Sequence, residues 1–294
     1  MSTDSGDREP QHSRDPQLDR DPVRLGAVSY LNARPLTAAL ADEDVSGPGR
    51  DFVLSYHVPS TCTSELAAGR IDVGLIPAIA YASSDVPYQI VPDAAIGCRG
   101  EVLTVRLFYR GSLKSIRSVA ADRSSQTSVG LLRILLREKF GLDPVFEDAA
   151  PDLDAMLHQA DAALLIGDPV LPLVEEEASS DRRSLDLGQE WLDLTGHAFV
   201  FAFWAGRKSC LEPVEVDRMI AARRVGEARY ADIAVDFQSQ RAGSTDLYER
   251  YLRDHIQYDM GPGAVRGLEE FFRLAADHDI IDRIPELRFY DRGE

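Results

Sequence analysis

Apolar and polar positions alternate in short blocks over the first hundred residues, in the order strand, helix, strand, helix. Val23–Ser29 is small and apolar and predicts a buried strand, and Phe52–His57 predicts a second one. A helix follows the second strand, with Ser60 or Thr61 as its N-cap, and Ile71–Ile76 predicts a third strand. Strands that alternate with helices through short connections indicate a parallel sheet with helices on its faces.

A second alternating block follows a long strand predicted over Val102–Tyr109. It contains a short strand at Ser118–Ala121, an amphipathic helix at Val129–Phe140 and a strand at Ala162–Ile166. Another long apolar strand is predicted over His197–Ala205. Two long strands that bracket an inner α/β unit predict a chain that leaves one lobe, builds a second lobe and returns to the first.

The resulting domain prediction is a discontinuous first lobe, formed by residues 23–104 plus 201–294, and a second lobe formed by residues 105–200. Residues 1–22 are polar and charged and are expected to form a disordered N-terminal extension. Two lobes joined by crossing strands are typical of bacterial solute-binding proteins. We therefore expect an α/β, periplasmic-binding-protein-like (type II) fold with a ligand cleft between the lobes.

Charge and composition restrict the partners of this fold. The chain has 294 residues and a formal net charge of −17, which argues against nucleic acid and against an anionic membrane surface. Its three cysteines show no metal-binding spacing, so neither a disulfide framework nor a metal site is expected. No apolar run matches a secretory signal or a membrane span, which predicts a cytoplasmic protein.

Two polar segments lie at the ends of predicted elements, which is where ligands usually bind. Ser124–Ser128 is a hydroxyl-rich helix start that favours a carboxylate or phosphate site, although ordinary helix capping explains one such hydroxyl equally well. Asn32 follows the first strand, where its amide can donate to one ligand oxygen and accept from another group. The alternative is an asparagine chosen for its turn geometry.

Thr104 and Asp168 are weaker candidates. The Thr104 hydroxyl would face the cleft from the first crossing strand, but threonine is also a common strand residue. Asp168 follows a strand and is a candidate general base or orienting acceptor, or else the cap of a helix that begins at Pro169. From the residues alone, the chain is an α/β protein with an anion-binding cleft.

An ordered set of segments carries the prediction further, because together they resemble the chorismate dehydratase family of the futalosine route to menaquinone. These segments are Gly26–Asn32, Arg34–Leu36, Gly97–Gly100, Ser125–Val129, Ala160–Asp168, Asp186–Trp191 and Thr195–Ala205. The resemblance runs from Val23 to about Ala205 and implies the two-lobed fold. It also implies conversion of chorismate to 3-[(1-carboxyvinyl)oxy]benzoate and water, with no cofactor.

The resemblance assigns the catalytic amide to Asn32 and a catalytic cleft hydroxyl to Thr104. Thr127 and Ser128 would hold a substrate carboxylate at the helix start. The other residues expected to contact the substrate are Ser29, Tyr30, Ser60, Arg99, Ser125 and Asp168. Glu101 departs from the family, which usually has proline there, and would bring a negative charge beside the site.

Two other functions stay open at this point. The related 1,4-dihydroxy-6-naphthoate synthase shares the fold, but it would carry a Ser-Pro-Cys-Pro-Asn-Asp type of loop where this chain has Ser29–Arg34. A non-catalytic cytoplasmic protein that binds a small anion would need the same cleft. A homodimer contact through the helices predicted between Val214 and Arg253 is also left open.

Overall fold

The computed structural model describes residues 21–40, 42, 45, 47, 49–122, 126–177, 183–241 and 243–293. Most of the predicted N-terminal extension, and Ser125, lie outside these residues. The strands are β1 (Val23–Val28), β2 (Phe52–His57), β3 (Val73–Pro77), β4 (Tyr88–Cys98), β5 (Val105–Tyr109), β6 (Ser118–Asp122), β7 (Val145–Ala149), β8 (Ala162–Ile166), β9 (Arg183–Asp186) and β10 (Phe199–Arg207).

The helices cover the faces of two sheets and also form a layer built from residues after β10. They are α1 (Arg34–Thr37), α2 (Pro59–Ala67), α3 (Ala78–Ala82), α4 (Gln126–Phe140), α5 (Leu153–Gln159), α6 (Leu171–Glu177), α7 (Leu187–Thr195), α8 (Pro213–Glu227), α9 (Tyr230–Gln238), α10 (Thr245–Arg250) and α11 (Pro262–Asp277). Within the described ranges, no helix is both long enough and apolar enough to cross a membrane.

The strands form two mixed sheets. The first sheet has the order β2-β1-β3-β10-β4, and the second has the order β7-β6-β8-β5-β9. Strand β1 runs parallel to β2 and β3, as predicted, and β6 runs parallel to β7 and β8. The returning strand β10 is antiparallel to both of its neighbours. The predicted α/β architecture is therefore confirmed, and the lobe boundaries stay a prediction.

The first crossing between the sheets is an irregular segment, so the predicted long strand over Val102–Tyr109 is wrong in its first residues. Strand β4 ends at Cys98 and β5 begins at Val105. Between them the backbone N–H groups of Val102 and Leu103 donate to a carboxylate instead of a sheet neighbour. Leu103 also adopts φ of +62°, in the left-handed region, which ends the strand pattern there.

Two local predictions around the first sheet also need correction. Helix α2 begins at Pro59 with Val58 as its N-cap, so neither Ser60 nor Thr61 caps it. Proline suits this first helical position because its missing N–H would have no partner there. Strand β3 begins at Val73, two residues later than predicted, since Asp72 is occupied by a bidentate contact with Arg24.

The outer edge of β4 is covered by distant parts of the chain. Ala95 N donates to Tyr258 O at 3.0 Å, and Gly97 exchanges two backbone hydrogen bonds with Gln257. Further along the strand, Ile90 N donates to Arg288 O at 2.7 Å, and Tyr290 N donates back to Ile90 O at 2.9 Å. An edge paired in this way cannot serve as a template for another chain.

Candidate active site

A cavity lies between the two sheets, close to the carboxyl ends of β1, β3 and β8. Its empty space, including the open solvent at its mouth, is about 620 Å³. The lining residues are Val28, Tyr30, Asn32, Pro59, Leu75, Pro77, Ile96, Val102, Thr104, Val105, Thr127, Ser128, Ile166, Gly167, Phe201 and Ala202. Among these described residues, none is an Asp, Glu, His, Lys or Arg.

Asn32 reaches the cavity from a short 3-10 turn, Leu31–Ala33, that directly follows β1. Its side-chain Oδ1 is buried and has no hydrogen-bond partner among the described residues. Because a buried amide oxygen without a partner costs free energy, an acceptor in this position is suited to a ligand that donates. The structure therefore places Asn32 where the sequence predicted it.

Thr104 lies in the crossing segment and is 1% exposed. Its Oγ1 is 2.8 Å from the hydroxyl of Tyr251, and its carbonyl accepts from Gly167 N at 2.8 Å. Sequence analysis missed Tyr251, which is fully buried in a π-helical turn, Tyr251–His255. Burial raises the pKa of Tyr251, so its hydroxyl keeps its proton at neutral pH.

The first turn of helix α4 forms part of the cavity wall. Thr127 and Ser128 belong to this turn, are 4% and 3% exposed, and line the cavity as predicted. Backbone N–H groups at a helix start lack intrahelical partners and carry partial positive charge. Thr127 Oγ1 also accepts from Ile79 N at 3.2 Å, which joins α4 to α3 on the first sheet.

Asp168 and Tyr30 close the cleft beside the cavity. Asp168 Oδ1 accepts from Leu31 N at 3.0 Å, which joins the segment after β8 to the segment after β1. The Tyr30 ring packs against Gly167, where an added Cβ would lie 3.1 Å from two ring atoms. Burial raises the pKa of Asp168 to about 6, although the hydrogen bond from Leu31 opposes this shift.

Several predicted contact residues do not reach the cavity. The side chains of Ser29, Ser60 and Arg99 are exposed and are absent from the lining, and Ser125 lies outside the described residues. Asp168 lines a neighbouring depression together with Ser29, Tyr30 and Arg241. The exposed side chain of Glu101 is not part of the lining either, so the expected negative charge beside the ligand is not found there.

Asp186 supports the site from behind, and sequence reasoning gave it no role. Its carboxylate accepts from Val102 N, Leu103 N, Gly188 N and Gln189 N, at distances between 2.8 and 3.2 Å. It therefore caps α7 and holds the crossing segment that carries Thr104. An aspartate before a helix is a common cap, so no signal in the sequence marked its second set of partners.

A cavity between two mixed sheets, with the chain crossing twice between them, defines the class of two-lobed solute-binding folds. The crystal structure of a protein from Archaeoglobus fulgidus has this fold, with a TM-score of 0.72, 17% identity and coverage of 88% of this chain and 98% of that one. The periplasmic aliphatic sulphonate binding protein of Escherichia coli gives a TM-score of 0.63 and 15% identity, covering 90% and 95% of the two chains.

The sequence comparisons narrow this class to one family. A family model described as menaquinone biosynthesis matches residues 23–277, and the chain belongs to that family. The chain is also 29% identical over 264 residues to the chorismate dehydratase of Thermus thermophilus, covering 85% of this chain and 94% of that relative. The match to the family model therefore covers every strand of both sheets and every residue that lines the cavity.

Proposed function

We propose that this chain is a chorismate dehydratase, a hydro-lyase that converts chorismate to 3-[(1-carboxyvinyl)oxy]benzoate and water. The observation that carries the proposal is the long match to the chorismate dehydratase of Thermus thermophilus, within a family described as menaquinone biosynthesis. The cavity supports it independently, because it offers neutral hydrogen-bonding groups and a helix start to a small anionic ligand.

The chemistry of chorismate places modest demands on such a site. A base removes the ring hydrogen at the carbon that bears the enolpyruvyl ether, and the resulting charge spreads through the diene into the ring carboxylate. The neighbouring C–O bond then breaks, its electron pair leaves with the hydroxyl oxygen, and the ring becomes aromatic. The enzyme needs to hold one conformer and to stabilise charge that grows on the carboxylate and the leaving oxygen.

Two groups of lining residues suit these two charges. The first turn of α4, with the hydroxyls of Thr127 and Ser128, would bind the ring carboxylate through N–H and O–H donors. Asn32 and Thr104 would orient the leaving hydroxyl and the enolpyruvyl arm. Removing one such donor typically slows turnover by about 10²–10³-fold.

The proton acceptor is the least obvious part of the mechanism. The described lining contains no carboxylate, histidine or lysine, which supports the enolpyruvyl carboxylate of the substrate itself as the base. Asp168 is the protein alternative, because burial holds its pKa near 6 at the edge of the cleft. Asp168→Asn separates the two: a variant that binds chorismate but no longer turns it over would assign the base to Asp168.

The experiment that tests the function is incubation of the purified protein with chorismate, with products followed by mass. We expect a product lighter by one water, and little or none from Asn32→Ala. If chorismate stays intact but raises the melting temperature, the chain is a binding protein instead. No product and no stabilisation would mean that chorismate is not its ligand. The cytoplasmic location and the homodimer stay predictions.

A further inference from the structure

Two buried hydroxyls form a connected pair behind the cavity. Tyr251 is fully buried and outside the cavity lining, and its hydroxyl is 2.8 Å from Thr104 Oγ1. Thr104 lines the cavity, and so does Asn32, whose buried Oδ1 has no hydrogen-bond partner among the described residues.

The direction of this hydrogen bond follows from where each proton can go. Among the described residues, Thr104 Oγ1 is the acceptor within hydrogen-bond distance of the Tyr251 hydroxyl, so the Tyr251 proton is directed at Thr104. Thr104 must in turn direct its own proton away from Tyr251, toward the cavity, since the carbonyl of Val102 lies at the limit of hydrogen bonding, 3.5 Å away.

Two unusual backbone features lie on either side of the Thr104–Tyr251 contact. Leu103, immediately before Thr104, has φ of +62° and is held there by Asp186. Tyr251 begins a π-helical turn, a distortion that often occurs at functional sites. A strained backbone conformation persists where surrounding contacts hold it in place. Here the two distortions lie beside the two hydroxyls that contact each other.

We propose that Tyr251 is a positioning residue for the dehydration, one that makes Thr104 a donor toward the leaving hydroxyl of chorismate. This inference rests on the proposed function. A substrate hydroxyl has lone pairs that accept the Thr104 proton and one proton of its own to donate, and the buried Oδ1 of Asn32 is an acceptor in the same cavity.

The arrangement acts on the step in which the C–O bond breaks. The electron pair of that bond moves onto the leaving oxygen, while the pair of the former C–H bond becomes the new ring double bond. The leaving oxygen accepts the Thr104 proton in a hydrogen bond that strengthens as its charge grows, and the ring proton removed by the base completes the water molecule. Because this contribution appears in the transition state, it changes kcat more than KM.

The first test compares Tyr251→Phe with Tyr258→Phe, a matched control. Tyr258 is also buried, lies in the same stretch of chain, and its hydroxyl has no partner among the described residues. We expect Tyr251→Phe to lower kcat by about 10–100-fold with KM nearly unchanged, less than the loss of a direct donor. Tyr258→Phe is expected to keep the kcat of the parent protein. Equal kcat values in both variants would overturn the inference.

The second test uses Thr104→Val, alone and combined with Tyr251→Phe. If Tyr251 acts through Thr104, the double variant is no slower than Thr104→Val, whereas independent effects would multiply. A Thr104→Val variant with the parent kcat overturns the inference even if Tyr251→Phe fails to fold. A parent protein without any turnover overturns the proposed function itself, and an active parent with an unaffected Tyr251→Phe overturns only the role of Tyr251.

Discussion

Asp186, which is buried, and Asp168, which is partly buried, are two carboxylates at strand ends of the second sheet that hold different parts of the cleft. Asp186 accepts four backbone N–H groups, two from the crossing segment and two from the start of α7. Asp168 accepts one, from Leu31 across the cleft. Burial raises the pKa of both groups, and for Asp168 the value reaches about 6.

This difference in hydrogen bonding makes Asp186 a fixed support and makes the Asp168 contact one that can open. Four hydrogen bonds compensate Asp186 for the water it has lost, and none of them crosses the mouth of the cleft. Asp168 has lost water for a single bond between the two sides of the cleft. If the cleft opened, Asp168 would lose one hydrogen bond and regain contact with water, so opening would cost little free energy. A charged Asp168 therefore favours release of the ligand over permanent closure of the cleft.

The largest effect is expected for Asp186→Ala. Four backbone N–H groups would lose their acceptor, and Leu103 would lose the bond that holds its left-handed conformation. We expect the free energy of unfolding to fall by about 3–5 kcal/mol, as for other buried charged networks that lose one partner. Urea unfolding measures this. Asp186→Asn keeps the shape and one acceptor oxygen and should lose less; equal losses would show that the fold depends on the complete, charged carboxylate of Asp186.

Gly167→Ala should have the next largest effect, because Gly167 joins Thr104 to Asp168. It adopts φ of +71° and ψ of −157°, and its added Cβ would lie against the Tyr30 ring. We expect a loss of about 3 kcal/mol in unfolding free energy, and a raised KM. Gly111→Ala is the matched control, since Gly111 has φ of +69° and an open surrounding, and should lose about 1 kcal/mol. Similar losses of unfolding free energy in the two variants would show that contact with the Tyr30 ring adds nothing to the cost of Gly167→Ala.

Asp168→Asn should stabilise the protein at neutral pH. The pKa of Asp168 is about 6 when folded and about 3.9 when unfolded, so the native state binds the proton more tightly. Parent stability therefore falls as pH rises from about 4 to about 6 and stays reduced above that. Asparagine keeps the acceptor for Leu31 without the charge. Since Asp168 is only partly buried, we expect a gain of about 1–2 kcal/mol at pH 8.

Thermal unfolding of the Asp168→Asn variant at about pH 3 and at about pH 8, which lie on either side of both pKa values, measures the gain. The gain should disappear at the acid end, where the parent carboxyl is protonated in both states. A variant that is less stable than the parent at the alkaline end would show that the ionised carboxylate of Asp168 strengthens the fold.

Thr127→Val should give the smallest effect. The variant keeps the shape of the side chain but removes the acceptor of Ile79 N, which joins α3 to α4. We expect a loss of about 1 kcal/mol in unfolding free energy and a higher KM for chorismate, because the hydroxyl at the helix start is also gone. Thr63→Val, which removes a hydroxyl on α2 outside the cavity lining, is the control for KM. An equal KM in both variants would take Thr127 out of the substrate site.

The parts of the fold that periodicity predicted are those that an apolar pattern and a turn signal mark together. Strand β2 and the end of α4 match the predictions to the residue, because an apolar pattern and a turn mark them. Strand β4 was missed, since Pro92 interrupts its pattern and Asp93 takes a positive φ. The crossing segment was mistaken for a strand, because the bonds that bend it come from Asp186, more than eighty residues later.

The same holds for the candidate site: residues beside a recognisable element were predicted, and a residue held by a distant contact was missed. Asn32, Thr104 and the start of α4 were found because each follows or begins a recognisable element, and the family resemblance ranked them. Tyr251 was missed, because its contact with Thr104 joins residues 147 positions apart. A tyrosine among charged helix residues has no local feature that distinguishes it from an ordinary core residue.

The covered edge of β4 has a consequence for the order in which the protein is made. The second sheet comes from one continuous stretch of chain, β5 to β9, and can assemble soon after that stretch leaves the ribosome. The first sheet cannot, because its strand β10 follows the whole second sheet in the chain. The outer edge of β4 is covered still later, since Gln89 Nε2 donates to Phe289 O, 200 positions away. During translation β4 therefore waits with one side unpaired, and the finished second lobe is the neighbour against which the first lobe closes.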